Sequence, residues 1–394
     1  MVLIYGFLIQ YSLLVDTKID MKVIEINTEN RKDVKRFIDF PKFLYADCLH
    51  WVPLLEVEAR GMMDRQRHPF YMNSDASFFI ALNASGEITG RISMIENKPY
   101  NTRSDTKRAF FYLFDVVNDI AVARALFEQG EAWAKARGLN EIYGPKGFAA
   151  LNGLGMLTRG FEHRPAFGIP YNYDYYPDLI EKLGFVKDRE VLSGYLHRDQ
   201  EIPEKVRIIS EKVQKRFGLR VDNYHTRKDL ERMLPHIKDL YNGSLAGTSG
   251  NAPLTDEDVK AMAGTILTIA DPSIIKVLMK DDQAVGFLLA YPDISAALQK
   301  TGGKLLPFGW IRMLWELKHT KWININGAGI IDTYRGLGGT AVLFEEMGNS
   351  VKTGRYEHAD LVQIGVENTK MRRELSAFGI DFYKSHCMYT KLIE

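Results

Sequence analysis

At 394 residues, with 46% hydrophobic and 26% charged residues, the chain is long enough for two or three domains and has the composition of a folded rather than a disordered protein. A formal net charge of +1 gives no global pull toward nucleic acid or anionic lipid, so neither a nucleic-acid nor a membrane partner is expected, and partners must be sought at a site. The two cysteines, Cys48 and Cys387, lie far apart without metal-type spacing, which excludes a disulfide framework and fits reduced thiols in a cytoplasmic protein.

The apolar stretch Met1 to Leu14 is shorter than the roughly 20 residues that span a bilayer. It also lacks the basic start and cleavage site of a secretory signal, so residues 1–20 read as an extension outside the fold, with a domain start at Met21. Strand-like Lys22 to Asn27 leads into Arg31-Lys32-Asp33-Val34, and a hairpin follows that begins at Phe78 and turns at Glu87 to Arg91. The apolar spacing of Ala121, Ala125, Leu126, Ala132 and Trp133 predicts a helix over 121–137, stopped by Gly138. The tyrosine-rich Tyr143 to Phe148 and Tyr171 to Tyr176 bracket a glycine loop around Asn152-Gly153-Leu154-Gly155, and serve either as interdomain packing or as a pocket lining. Residues 202–217 read as a linker helix starting after Pro203. Farther on, Thr255 with Asp258 reads as a helix cap, and 293–321, with Trp310 and Trp315, as an insertion that covers the acceptor site or packs on the other domain.

The second half repeats the first. Arg227-Lys228-Asp229-Leu230 stands 196 residues after Arg31, Gly286 stands 196 after Gly90 in a matching hairpin, and Gly379 stands 195 after Gly184 at the end of a matching helix. Three landmarks in one order at offsets of 195 to 196 indicate a duplicated domain. The expected division is 21–200, a linker helix over 201–218, and 219–394, each half a twisted, mostly antiparallel sheet flanked by helices in a mixed α/β fold.

In the second half, strand-like Ile323 to Ile331 runs into Asp332-Thr333-Tyr334-Arg335-Gly336-Leu337-Gly338-Gly339-Thr340 and then a helix over 340–351. Glycines let a backbone approach a phosphate, and the following helix offers its positive end. This segment resembles the acyl-coenzyme A loop of the GNAT acyltransferases, R/Q-x-x-G-x-G/A, with Arg335, Gly338 and Thr340 on its fixed positions, the threonine being a departure. Glu367-Asn368-Thr369-Lys370-Met371 and the following Gly379 resemble that family's next strand-to-helix segment. The resemblance implies a tandem GNAT fold and an enzyme that transfers an acyl group from acetyl-CoA or another acyl-CoA to a small-molecule or peptide amine. The cofactor would lie between the loop strand and the strand before Asn368, with Ile330, Ile331, Gly336, Leu337 and Gly339 completing the binding set. Backbone N–H groups around Ile330 and Ile331 would polarise the acyl carbonyl.

The family's usual tyrosine acid falls on Leu375, which cannot donate a proton. Tyr383 and Tyr389 are nearby in sequence and read first as packed strand residues. In the first half the matching position is Ile180, and Val117-Asn118-Asp119-Ile120 puts an acid where a phosphate would bind, so that copy reads as degenerate. A noncatalytic acyl-CoA-binding protein and an aminoacyl-tRNA-using relative are the alternatives. His319, His358 and His386 stand alone, and no metal site is expected.

Overall fold

The computed structural model describes residues 21–148, 152–244 and 269–394, together with residues 256 and 259. The expected extension over 1–20 and the Thr255 to Asp258 cap lie outside them.

The first half runs β1 (Lys22–Glu25), α1 (Arg31–Leu44), α2 (Glu56–Met63), β2 (Asp75–Leu82), β3 (Ile88–Glu96), α3 (Lys98–Ser104), β4 (Arg108–Val116), α4 (Ile120–Lys135), β5 (Glu141–Gly144), β6 (Met156–Arg159), α5 (Tyr176–Lys182) and β7 (Val186–His197). Helix α4 buries Val122, Leu126, Phe127 and Trp133 on one stripe. It crosses the sheet so closely that a Cβ on Gly130 would stand 2.8 Å from Met94 Sδ. The second half runs α6 (Glu204–Phe217), β8 (Leu219–Asn223), α7 (Arg227–Ser244), β9 (Lys276–Lys280), β10 (Gln283–Pro292), α8 (Ser295–Thr301), α9 (Gly309–His319), β11 (Trp322–Ile330), α10 (Gly339–Thr353), β12 (His358–Gly365), α11 (Thr369–Ala377) and β13 (Asp381–Leu392). Pro203 stands before α6 as its N-cap, and Gly218 ends the helix in the left-handed region at φ 63°.

The strands form a single 13-stranded sheet in the order β1-β2-β3-β4-β5-β13-β7-β12-β11-β10-β9-β8, with β6 beside β13. The division near residue 200 therefore separates the chain but not the sheet. Strand β7 of the first half pairs with β12, and β13 of the second pairs with β5, so each half lends its last strand to the other. Where β7 and β13 meet, Tyr195 lies opposite Asp381 and Val186 opposite Thr390. At the repeat offset of 195 set by Gly184 and Gly379, these two pairs are one pair read from either half. The ladder thus maps onto itself, the antiparallel self-pairing of a two-fold dimer built within one chain.

This seam carries a buried ion pair. Lys384 Nζ lies 2.5 Å from Asp360 Oδ2, with side chains 1% and 3% exposed. Removing one partner strands a buried charge. Lys384→Met is expected to lower the unfolding free energy by about 3–5 kcal/mol, with much of it recovered in Asp360→Asn/Lys384→Met; urea titration checks both. Two residues on, the fully buried His386 has Nε2 3.0 Å from the Pro170 carbonyl oxygen. Burial pulls its imidazole down from 6.5 to about 4. The unfolded chain therefore binds the extra proton first. Stability should be undiminished above pH 6.5 and fall as pH drops toward 4, by roughly 3 kcal/mol from this group. His386→Gln should flatten that slope in pH-dependent urea melts.

Candidate functional site

Strand β11 pairs in parallel with β12 over Trp322↔His358 to Ile325↔Leu361, and the two then part. The separation begins at a β-bulge. Register against β10 shifts between Leu288↔Ala328 and Ala290↔Ile325, which places the extra residue at Asn326–Gly327, and Gly327 takes φ 142°. A bulge re-aims the backbone and ends pairing. The V-shaped gap is a cleft of about 720 Å³. Its walls are partly apolar, with Leu343, Phe344, Leu361, Val362, Ile364 and Leu375, and its rim carries Arg335, Lys370 and Glu367.

At the open end of β11 the chain passes through Gly336 (φ 82°) and Gly338 (φ 89°) into α10. Gly338 caps that helix, and Ala341 N–H bonds the Gly338 carbonyl at 3.0 Å. The amides of Gly338, Gly339 and Thr340 precede this first bond and face the helix mouth as donors. The glycines do different jobs. A Cβ on Gly338 would meet Val213 Cγ2 of α6 at 2.7 Å, and one on Gly339 would meet Leu278 Cδ2 at 2.6 Å, so both are required by packing. Gly336 is open, its nearest neighbour being Lys370 Nζ at 3.6 Å from an added Cβ. Leu337 is half-buried within the loop and Thr340 lines the cleft.

Arg335, on the rim of the cleft, makes three polar contacts within the protein. Its Nε donates to the Ile330 carbonyl at 3.0 Å, Nη2 to the Ser244 carbonyl at 2.6 Å, and Nη1 pairs with Asp332 at 2.6 Å, so it braces the loop against the end of α7. The cation beside the loop is Lys370, two residues after Asn368. Asn368 caps α11, its Oδ1 accepting from Met371 N at 3.1 Å.

The two isoleucines expected to polarise a carbonyl separate. Ile331 N–H donates to Val285 O at 3.0 Å and is therefore committed to β10. Ile330 pairs with Gly286 at the alternate position of this antiparallel ladder, so its N–H points away from β10, toward the gap. Leu375 lies 1% exposed at the base of the cleft. Tyr383 and Tyr389 do not line it. Tyr383 packs on His163, and Tyr389, fully buried, donates to Glu181 Oε1 at 3.2 Å in the first-half core. Burial raises both phenols far above their ordinary range.

Three further contributors complete the cleft. Tyr241 of α7 is the one phenol among the described residues lining the cleft. Arg189 arrives on the exchanged strand β7, with Nε 3.5 Å from Glu367. The first-half loop adds Asn152 and Leu154, held by Gln363, whose Oε1 accepts from Leu154 N at 2.8 Å. Gln363 sits at φ 59°, a left-handed position that a glutamine adopts rarely, and the clasp fixes it.

The first half repeats the geometry and closes it. β4 and β5 pair over Arg108↔Glu141 to Phe110↔Tyr143 and part, with a register shift in β4 opposite Arg91–Ser93. Here the helix mouth is filled from within, because Asp119 caps α4 and accepts from Ala121 N at 2.8 Å. Tyr176 receives the Val116 N–H at 2.7 Å, and Tyr175 bonds the Val116 carbonyl at 2.7 Å. The Tyr171 to Tyr176 cluster thus packs into its own half, and the hollow left there is about 120 Å³. Beneath it Arg91 and Asp115 form a buried pair at 2.7 Å, with Tyr45 OH donating to Asp115 at 3.1 Å. No group of three or more metal-ligating side chains occurs among the described residues.

No protein-family model matches the sequence. Among solved structures, a tandem GNAT protein from the clavulanic acid biosynthesis pathway covers 95% of this chain and 98% of its own at TM-score 0.54 and 10% identity. The chain has the tandem GNAT fold. A GCN5-related N-acetyltransferase from Sphaerobacter thermophilus shares that fold over 95% of this chain and 96% of its own, at TM-score 0.50 and 14% identity. In sequence, the tandem GNAT chain is 26% identical to protein YghO of Escherichia coli K12 over 375 residues, 92% of this chain and 94% of that one. It is also 26% identical to the bacterial ceramide synthase of Caulobacter vibrioides over 308 residues, 77% and 78% of the two chains.

Proposed function

We propose that the chain is an acyl-CoA-dependent N-acyltransferase whose second half alone binds the thioester. The observation that carries this reading is the parting of β11 and β12 at a bulge, with a glycine loop and a helix mouth that no side chain caps at its open end. In it the pyrophosphate meets the Gly338 to Thr340 amides and Lys370, and the pantetheine and acyl chain lie between the parted strands. The Ile330 N–H and the bulge amides lie where an acyl carbonyl oxygen would develop charge.

The amine nitrogen attacks the thioester carbonyl, a C–N bond forms, the C–S bond breaks, and the thiolate leaves with the electron pair. Proximity supplies much of the rate. Tyr241 donates the proton to the departing thiolate in place of the absent tyrosine at Leu375, the amine loses its proton to solvent, and solvent returns a proton to Tyr241. Likeness to a ceramide synthase, together with apolar cleft walls, favours a long-chain amino alcohol as acceptor and a fatty acyl group as cargo.

Incubation with acyl-CoA and a sphingoid base should release free thiol, read by a disulfide dye, and yield the amide by mass spectrometry. Saturable acyl-CoA binding without thiol release for any amine offered would leave a binding protein and reject the transferase.

A further inference from the structure

Helix α9 is apolar on both sides. Met313 and Leu317 pack inward with Ile294, Ala297 and Leu298, against Val52, Leu55 and Phe167 of the first half. The insertion thus packs on the other half, but only with one face. On the opposite face Trp310, Ile311, Leu314 and Trp315 are 48–55% exposed, and the turn before the helix adds Leu306 and Phe308 at 78% and 72%. At 100° per residue those four helical positions fall within an arc of about 140°. Scattered apolar side chains on a surface need no account, whereas six contiguous in one segment do.

The charges in the same segment are one-sided. Lys304, Arg312 and Lys318 are exposed, the single acid between 304 and 321, Glu316, is buried, and Lys321 at the end of the segment pairs with Glu357 at 3.2 Å. The net charge of +1 for the whole chain conceals this basic rim. A second copy of the chain would bring three cations against three cations. A surface of anionic lipid would complement them and take up the apolar side chains between them. Indoles favour the level of the headgroups, where ring and N–H are both satisfied. With 11 residues, α9 is about 16 Å long, half the roughly 30 Å of a hydrocarbon core, and no helix among the described residues is long and apolar enough to cross a membrane.

We propose that the outer face of α9, with Leu306 and Phe308, docks the protein on the surface of an anionic bilayer, the helix lying in the interface plane. This reverses the expectation drawn from net charge. The inference stands apart from the acyl-transfer reading, although a membrane-bound enzyme would meet a long-chain amine where such amines partition.

Sedimentation of the full chain with phosphatidylcholine–phosphatidylglycerol vesicles, and with phosphatidylcholine alone, tests it. Binding is expected to the mixed vesicles, weakening by about tenfold or more in high salt or in Arg312→Glu/Lys318→Glu. Ile311→Glu/Leu314→Glu should lose binding by at least about tenfold while keeping its thermal melt and its CoA titration. That variant retains residues 1–20, so its loss assigns docking to α9. Undiminished binding by the variant, or failure of the parent to sediment with either vesicle, overturns the proposal. So does a dimer in light scattering that the variant dissolves without any vesicle binding by the parent.

Discussion

Gly336→Glu should abolish acyl-CoA binding, weakening it by at least about 100-fold, while the melting temperature moves by only a few degrees. The physical reason lies in what surrounds this glycine. Its neighbours 338 and 339 have no room for a side chain, because α6 and β9 press on them, so substitution there would unsettle α10 before it tested the ligand. Gly336 has only Lys370 Nζ within 4 Å of an added Cβ. A glutamate placed there neutralises that ammonium and sets a carboxylate in the site of the pyrophosphate, where like charges repel. Its positive φ costs about 1–2 kcal/mol of backbone strain, which a domain of this size tolerates. Calorimetric titration with CoA, alongside thermal melts, separates lost affinity from lost fold. Binding within threefold of the parent would remove the loop from the site.

Tyr241→Phe should lower kcat by about 100-fold with little change in the affinity for acyl-CoA. A phenylalanine keeps the ring that packs α7 against the cleft and deletes the one phenolic proton among the described lining residues. If that proton protects the departing thiolate, the loss should be smallest with an acyl donor whose leaving thiol is more acidic than CoA. A merely structural tyrosine would show no dependence on the leaving group. Single-turnover thiol release by the two proteins with two such donors decides between them.

How far the sequence reveals these features depends on how local each one is. The loop 332–340 was legible because its glycines, strand and helix are contiguous. Helix α4 was legible from its apolar spacing and Gly138 stop, α6 from Pro203 at its start, α10 from the glycine loop before it, and the duplication because residues repeat at offsets of 195 to 196. The exchange of β7 and β13 was not legible. The two strands occupy equivalent places in their halves, and nothing in either segment tells which sheet it joins. Arg189, on the exchanged β7, was hidden for the same reason, whereas the loop of Asn152 and Leu154 stood out in sequence without showing which cleft it joins. Tyr241 has no motif and reaches the cleft only through the packing of α7. Arg335 fits the family pattern, and its bracing role shows only in its bond partners. The outward apolar face of α9 was not legible, because an apolar residue looks the same in sequence whether it is buried or exposed.

The most direct test of the central claim, that one half binds the thioester and the other is closed, is the stoichiometry of CoA binding to the intact chain by calorimetry. One site per chain is expected, absent in Gly336→Glu and unchanged in an Asp119→Asn variant of the closed half. Two sites per chain, or binding that survives in Gly336→Glu and is lost when Asp119 is changed, would contradict it.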